Sequence, residues 1–195
     1  ATDVASYSQL MADSQPMIAE QVLSAISLQP YRHILDVGGG VGAFLDAVHA
    51  RYPELQRSLC DLPGVIESRG ARDDGVYAVG VSFISDALPA GADLISLIRI
   101  IHDHDDAVVL KLLANIRQII PNDGTLLIAE PMAGTPGAET VGDVYFGFYL
   151  LAMGSGRART LNEINDLLDQ TGYAPAQHHR TPVPLITSVL TTRPI

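Results

Sequence analysis

The stretch His102-Asp103-His104-Asp105-Asp106 sets two of the chain's six histidines among three carboxylates. It follows the apolar run LISLIRII and precedes AVVLKLLANIRQII, whose apolar residues recur at helical spacing. Acids at such a junction meet the unpaired N–H groups and the dipole of a helix N-terminus, which accounts for Asp105 or Asp106 without any chemistry. It does not account for His102, which ends an apolar strand. An imidazole there can accept a proton near neutral pH, and a nearby carboxylate can orient its other ring nitrogen. The acids available for that role are Asp103, Glu130 at the end of LLIAEP, and Glu163. Glu163 has a second reading, since Thr160 precedes it by three residues and the pair fits a capping box. A metal site on His102, Asp103, His104 and Asp106 is disfavoured: adjacent residues at a strand end point different ways, and no established ligand spacing appears. Cys60 lies in an apolar context and reads as core.

A second group of residues lies earlier, in LDVGGGVG. Gly38, Gly39, Gly40 and Gly42 follow a strand directly, allowing a tight turn and a close approach of backbone N–H groups to a ligand. The spacing Gly38-x-Gly40-x-x-Ala43 is compatible with a dinucleotide fingerprint, so a nicotinamide-dependent oxidoreductase is one reading. Charge favours another. Asp36 stands just before the turn, where it would repel a pyrophosphate and suit a cofactor with a cationic ammonium or sulfonium end. Asp61, ending the next strand, can accept hydrogen bonds from ribose hydroxyls in either case.

The elements that must position these residues alternate regularly. A helix is predicted over 11–28, with Met11, Met17, Ile18, Val22, Leu23, Ile26 and Leu28 on one side and Pro30 closing it. HILDVGGG reads as a buried strand leading to a helix over Val41 to Arg51, and RSLCD and VYAVGV as the next two strands. ADLISLIRI, apolar on both sides, reads as an interior parallel strand, and NDGTLLIAEP as a turn and a fifth strand. The connection from Asp61 to Val76 is short for a full crossover and suggests a clipped helix. GDVYFGFYLLAMGSG is predicted as a helix, with Tyr145, Phe146, Phe148, Tyr149 and Met153 either core or the wall of an apolar pocket. TLNEINDLLDQTGY is predicted as an amphipathic helix. Candidate strands over Ala174 to His179 and Leu185 to Thr192 close the chain as an antiparallel pair. The alternation argues for an open parallel sheet covered by helices.

Composition narrows the function. The chain has 195 residues, 47% of them hydrophobic, enough for one substantial core. Lys and Arg number 12 against 22 acids, a formal charge of -10 that disfavours binding to nucleic acid. One cysteine excludes an internal disulfide and fits a reducing, cytoplasmic setting. No apolar run approaches the ~18 residues of a membrane span, and the N-terminus lacks the pattern of a signal peptide.

Taken in order, LDVGGGVG, DLPGV, LPAGADL, IIHDHDD, LLIAEPMAGTPG and the RART segment with Glu163 resemble the S-adenosylmethionine-dependent O-methyltransferases. The resemblance is to the group holding plant caffeic acid and flavonoid enzymes and bacterial small-molecule methyltransferases. EPMAGTPGAETVGDVYFGFYLLAMGSGRART looks like bacterial carotenoid O-methyltransferases acting on hydroxylated acyclic carotenoids. The resemblance implies a Rossmann-like α/β fold, a seven-stranded sheet with its last strand antiparallel and helices on both faces. It implies S-adenosylmethionine as cofactor and an apolar hydroxylated small molecule as methyl acceptor. His102 would deprotonate that acceptor, flanked by Glu130 and Glu163; the alternative is a non-catalytic, regulatory relative that keeps the fold. Cofactor contacts would come from Asp36, Gly38, Gly39, Gly40 and Asp61, with Leu62 of DLPGV, Phe83 of GVSFISD, and Arg99.

The chain departs from that pattern at several points. The tryptophan common two residues after the histidine is absent, and carotenoid relatives often carry tyrosine where His102 stands. The usual acid near the adenine is replaced around Val81 and Ser82, with Asp86 nearby. A common lysine four residues before the histidine is Ile98, beside Arg99. The family also has a helical N-terminal domain that forms a homodimer and part of the acceptor pocket. Residues 1–30 read as a helical segment leading from such a domain, and 31–195 as the catalytic domain.

Overall fold

The computed structural model describes residues 15–134, 156–184 and 186–195. The aromatic segment 145–153 and Met11 lie outside them. Helix α1 covers 15–25, ending five residues before Pro30, and buries Ile18, Val22 and Leu23 while Met17 faces solvent at 48% exposure. There follow β1 (His33–Val37), α2 (Ala43–Arg51), β2 (Gln56–Asp61), α3 (Pro63–Arg69) and β3 (Val76–Gly80). Then come β4 (Leu94–Ile98), a 3-10 turn (Ile101–Asp103), α4 (Asp106–Ile119) and β5 (Thr125–Glu130). The last described elements are α5 (Leu161–Gln170), β6 (Gln177–His179) and β7 (Ser188–Thr192). The clipped crossover is α3, a helix of seven residues with Pro63 in its first turn and no buried residue.

The strands form a seven-stranded sheet in the order β3-β2-β1-β4-β5-β7-β6. β1 to β5 run parallel, and β7 is antiparallel to both β5 and β6. Alternation along the inner strands divides the core between two faces. Leu35, Val37, Ile95, Leu97, Leu126 and Ile128 pack with α4 and α5, against Val109, Leu112, Leu113, Ile116, Leu167 and Leu168. Ile34, Leu94, Ile98, Leu127 and Ala129 pack on the other face with α1 and α2, against Val22, Leu23, Phe44, Leu45 and Val48. Helix α1 therefore shares a core with the strands behind the glycine turn. The apolar residues of α4 recur at three and four residues, which places one stripe on the sheet.

This topology fixes where a ligand can bind. After β3 the chain returns to the far side of β1 to lay down β4, so strand order reverses between β1 and β4. The loops leaving those two strands diverge to opposite faces and open a crevice at their carboxyl ends. The glycine turn leaves β1 there, and the histidine stretch leaves β4.

Candidate active site

The first wall of the crevice is the glycine turn. Gly38, Gly40 and Gly42 have φ of 72°, 61° and 93°, a region that residues with a Cβ rarely occupy. Gly39 has ordinary φ, but a Cβ there would overlap Asp36 Oδ2 and Leu59 Cδ1. The turn is tied to the next strand by Gly38 N–H, which donates to Cys60 O at 2.8 Å, and by Asp61. The Asp61 carboxylate accepts from Gly40 N–H at 2.8 Å and from Leu62 N–H at 2.7 Å, one bond to each oxygen. Each oxygen keeps acceptor capacity for a further donor. A cavity of about 350 Å³ opens beside it, lined by Gly38, Gly39, Gly40, Asp61, Arg99 and Asp103, among others. Arg99 is the one described non-glycine residue with positive φ, 61°, and its N–H donates to Ala129 O at 2.8 Å.

Asp36 does not line this cavity. It is fully buried beneath the turn, because alternation along β1 sends it to the same face as Ile34, opposite Ser96 on β4. Ser96 Oγ donates to Asp36 Oδ1 at 2.6 Å, while Oδ2 has no hydrogen-bond partner. Burial, and then the charge of Asp61, push its pKa up to about 7 against the lowering effect of the Ser96 bond. Leu62 and Phe83 also stand outside the cavity lining. Leu62 is 52% exposed, and Phe83 meets His104 edge-on with ring centroids 5.4 Å apart. Asp86 is turned to its own loop, where it accepts from Ser82 N–H at 2.8 Å.

The opposite wall carries the histidine. His102 is buried at 3% exposure in the 3-10 turn after β4. Its Nδ1 meets Glu130 Oε2, and its Nε2 lies 3.2 Å from Asp103 Oδ1. Glu130, also buried, is held by its other oxygen, which accepts from Ile100 N–H and Ile101 N–H at 2.7 Å each. Burial opposes protonation of His102, but the charge of Glu130, its hydrogen bond and the charge of Asp103 outweigh that, so the imidazole pKa lies above its ordinary value. Burial first, with the charge of Glu130 adding to it, raises the Asp103 carboxyl against the pull of His102. Two carboxylates thus grip one imidazole, and Asp103 reaches from it to the cavity wall.

Glu163 is not part of this group. Thr160 caps α5 by accepting from Glu163 N–H at 3.3 Å, and Glu163 Oε2 accepts from Thr160 N–H and its hydroxyl at 2.8 Å each. Its other oxygen pairs with Arg157 at 2.6 Å. The capping reading of Thr160-x-x-Glu163 therefore describes this residue, and the structure does not bring it to His102. Arg159, absent from the sequence-based candidates, is 2% exposed and bonds to the backbone around His102. Nothing in its spacing could have shown this, because its partners are mostly main-chain carbonyls more than fifty residues away.

An open sheet reversing beside a glycine turn, with acids at the ends of β1 and β2, defines a Rossmann-like nucleoside-cofactor fold. The comparisons sharpen this. The O-methyltransferase domain family matches residues 1–174. Demethylspheroidene O-methyltransferase of Rhodobacter capsulatus is 44% identical over 184 residues, covering 94% of this chain and 47% of that protein. Caffeic acid 3-O-methyltransferase of Medicago sativa is 29% identical, covering 89% of this chain and 48% of that one. Human N-acetylserotonin methyltransferase in complex with S-adenosylmethionine superposes with a TM-score of 0.84 at 25% identity, over 96% of this chain and 55% of that one. The chain spans about half the length of the relatives it matches. It belongs to the S-adenosylmethionine-dependent O-methyltransferase family.

The residues present fit that cofactor. A turn with no room for a side chain at Gly39, Asp61 with acceptor capacity at the cavity wall, and an unpartnered carboxylate oxygen beneath the turn suit a ribose and a cationic amino-acid end. They do not suit a pyrophosphate. Gly38, Gly39, Gly40, Asp61 and Arg99 line the cavity, and Asp36 lies buried beneath the turn.

Proposed function

We propose that the protein containing this chain transfers a methyl group to a hydroxyl oxygen of an apolar small molecule, with His102 as general base. The observation that carries the reading is the buried imidazole held between Glu130 and Asp103 at the edge of the cofactor cavity. When bound, S-adenosylmethionine would supply a methyl group activated by its sulfonium and would leave as the neutral thioether once its S–CH3 bond breaks, so the protein has to align the acceptor and remove one proton. Glu130, fixed by the two backbone N–H groups, holds Nδ1 and with it the orientation of the ring. That leaves Nε2 to take the acceptor's proton as the new C–O bond forms, with the acceptor hydroxyl displacing or sharing the Asp103 contact. Asp103 and Glu130 then stabilise the imidazolium. For an aliphatic hydroxyl the proton leaves late, since a free alkoxide is costly. Phe83 and Leu62 remain candidates for the adenosine end.

The resemblance to demethylspheroidene O-methyltransferases favours a hydroxylated carotenoid as acceptor. The same reading puts a dimer-forming domain on the N-terminal side and, since α1 packs on the sheet, counts α1 with the catalytic domain of a cytoplasmic homodimer. Family membership sets aside the nicotinamide alternative. The test is turnover of a hydroxylated acyclic polyene and of a simple phenol by the full-length protein and its His102→Ala variant, with calorimetry of S-adenosylhomocysteine binding to both. Methylation of the polyene, lost in the variant at unchanged cofactor affinity, supports the whole reading. Methylation of the phenol alone overturns the acceptor, and full turnover by the variant overturns the base.

A further inference from the structure

His102 sits in a 3-10 turn of three residues. The main-chain carbonyls on either side of it converge on one guanidinium. Arg159 Nη1 donates to Ile101 O at 2.5 Å, and Nη2 donates to His104 O at 2.7 Å. Nη2 and Nε also donate to Asp106 Oδ1, at 2.6 Å and 2.8 Å, which ties the same side chain to the start of α4. All three nitrogens of the fork are engaged, and the side chain is 1% exposed. A lysine ammonium could not reproduce this fork of donors.

Ile101 shows what the arrangement does. Its N–H donates to Glu130 and its C=O accepts from Arg159, so the residue before the histidine is gripped from β5 and from the segment leading into α5. That segment is itself pressed on the turn, since a Cβ at Gly156 would overlap His102 O. The neighbouring Arg157 bonds to neither carbonyl: it is half-exposed and pairs with Glu163 and, like Arg159, with Asp106.

We infer that Arg159 is a positioning residue for the proton-transfer step, clamping the backbone on both sides of His102 so that Nδ1 stays on Glu130 and Nε2 stays beside Asp103. The inference rests on the reading of His102 as base, but its geometric part can be tested apart from that reading. Selective histidine labelling, with His102→Gln to assign the signal, lets the imidazole be titrated by NMR in the full-length protein. In Arg159→Ala the midpoint of His102 should fall toward the ordinary histidine value as its hold on Glu130 loosens. Turnover should drop roughly 10- to 100-fold, as for a misplaced catalytic group, while S-adenosylhomocysteine affinity changes less than about threefold. Arg159→Lys should give an intermediate midpoint and partial recovery of turnover, and Arg157→Ala should match the parent in both. If Arg159→Ala does not fold, Arg159→Lys read by the same titration decides. An unmoved His102 midpoint in the Arg159 variants overturns the clamp, as does a loss of cofactor affinity equal to the loss of turnover. Full turnover by His102→Ala would remove the base while leaving the NMR result to stand for the clamp alone.

Discussion

The two walls of the crevice are built on different principles. The wall after β1 is backbone: three left-handed glycines, two N–H groups on Asp61, and one acid beneath the turn. The wall after β4 is side chain: His102, Glu130, Asp103 and Arg159, drawn from three separate stretches of sequence. A backbone wall offers a shape into which a common cofactor fits and tolerates little change at a few positions. A side-chain wall offers a proton path whose geometry depends on each member being held by another.

If that contrast is right, substitutions of His102, Glu130 or Arg159 should slow turnover and spare cofactor binding, and substitutions in the glycine turn or at Asp61 should do the reverse. The largest effect belongs to His102→Ala, expected to cut turnover by about 10²–10⁴ with cofactor affinity unchanged by calorimetry. Glu130→Gln comes next, at roughly 10- to 100-fold in turnover, since the neutral amide neither fixes the tautomer nor stabilises the imidazolium. Asp61→Ala should weaken S-adenosylhomocysteine binding by about tenfold or more through lost hydrogen bonds to a charged group, and unchanged affinity would remove it from the site. Smallest, Glu163→Ala should lower stability by about 0.5–1 kcal/mol in denaturant titration as its half of the capping box is lost. Its turnover should match the parent.

Acidity distinguishes the walls as well. The His102 pKa is raised in the folded state, so its pairing contributes stability below the unfolded histidine pKa, and that contribution is lost as pH rises through the folded value. Catalysis runs the other way, because only the neutral ring accepts a proton: turnover should climb as pH passes above the ordinary histidine range. Asp36 is raised to about 7, so folding binds a proton and its ionisation erodes stability as pH rises from the unfolded carboxylate pKa toward that value. Asp36→Asn should then stabilise the fold at pH 8, by up to about 4 kcal/mol for a rise of about three pKa units, and weaken binding of a cationic ligand. A melting curve and a calorimetric titration at that pH check the pair.

The fold was largely legible because alternation, helical spacing and the glycine run act locally. LISLI could only be a strand buried on both faces, and Thr160-x-x-Glu163 was written as a cap. The same local rule, carried one step further, would have placed Asp36 under the turn, since it alternates with Val37 and shares a face with Ile34. Residue type and the resemblance both offered Glu163 to His102 as well, a contact that the cap and Arg157 pre-empt. Arg159 left no trace in the sequence, because a guanidinium holding distant carbonyls has no spacing to read.

The bare α-carbon of Gly39 has one further consequence. It leaves only a single layer of main chain between the Asp36 carboxylate and whatever lies above, with no solvent on the acid's own side. Mobile ions cannot gather around a charge sealed in that way, so its pull on a cation should survive salt concentrations that erase the influence of surface residues. Affinity for a sulfonium ligand, measured against that for its uncharged thioether counterpart, should keep nearly the same ratio from low to high ionic strength.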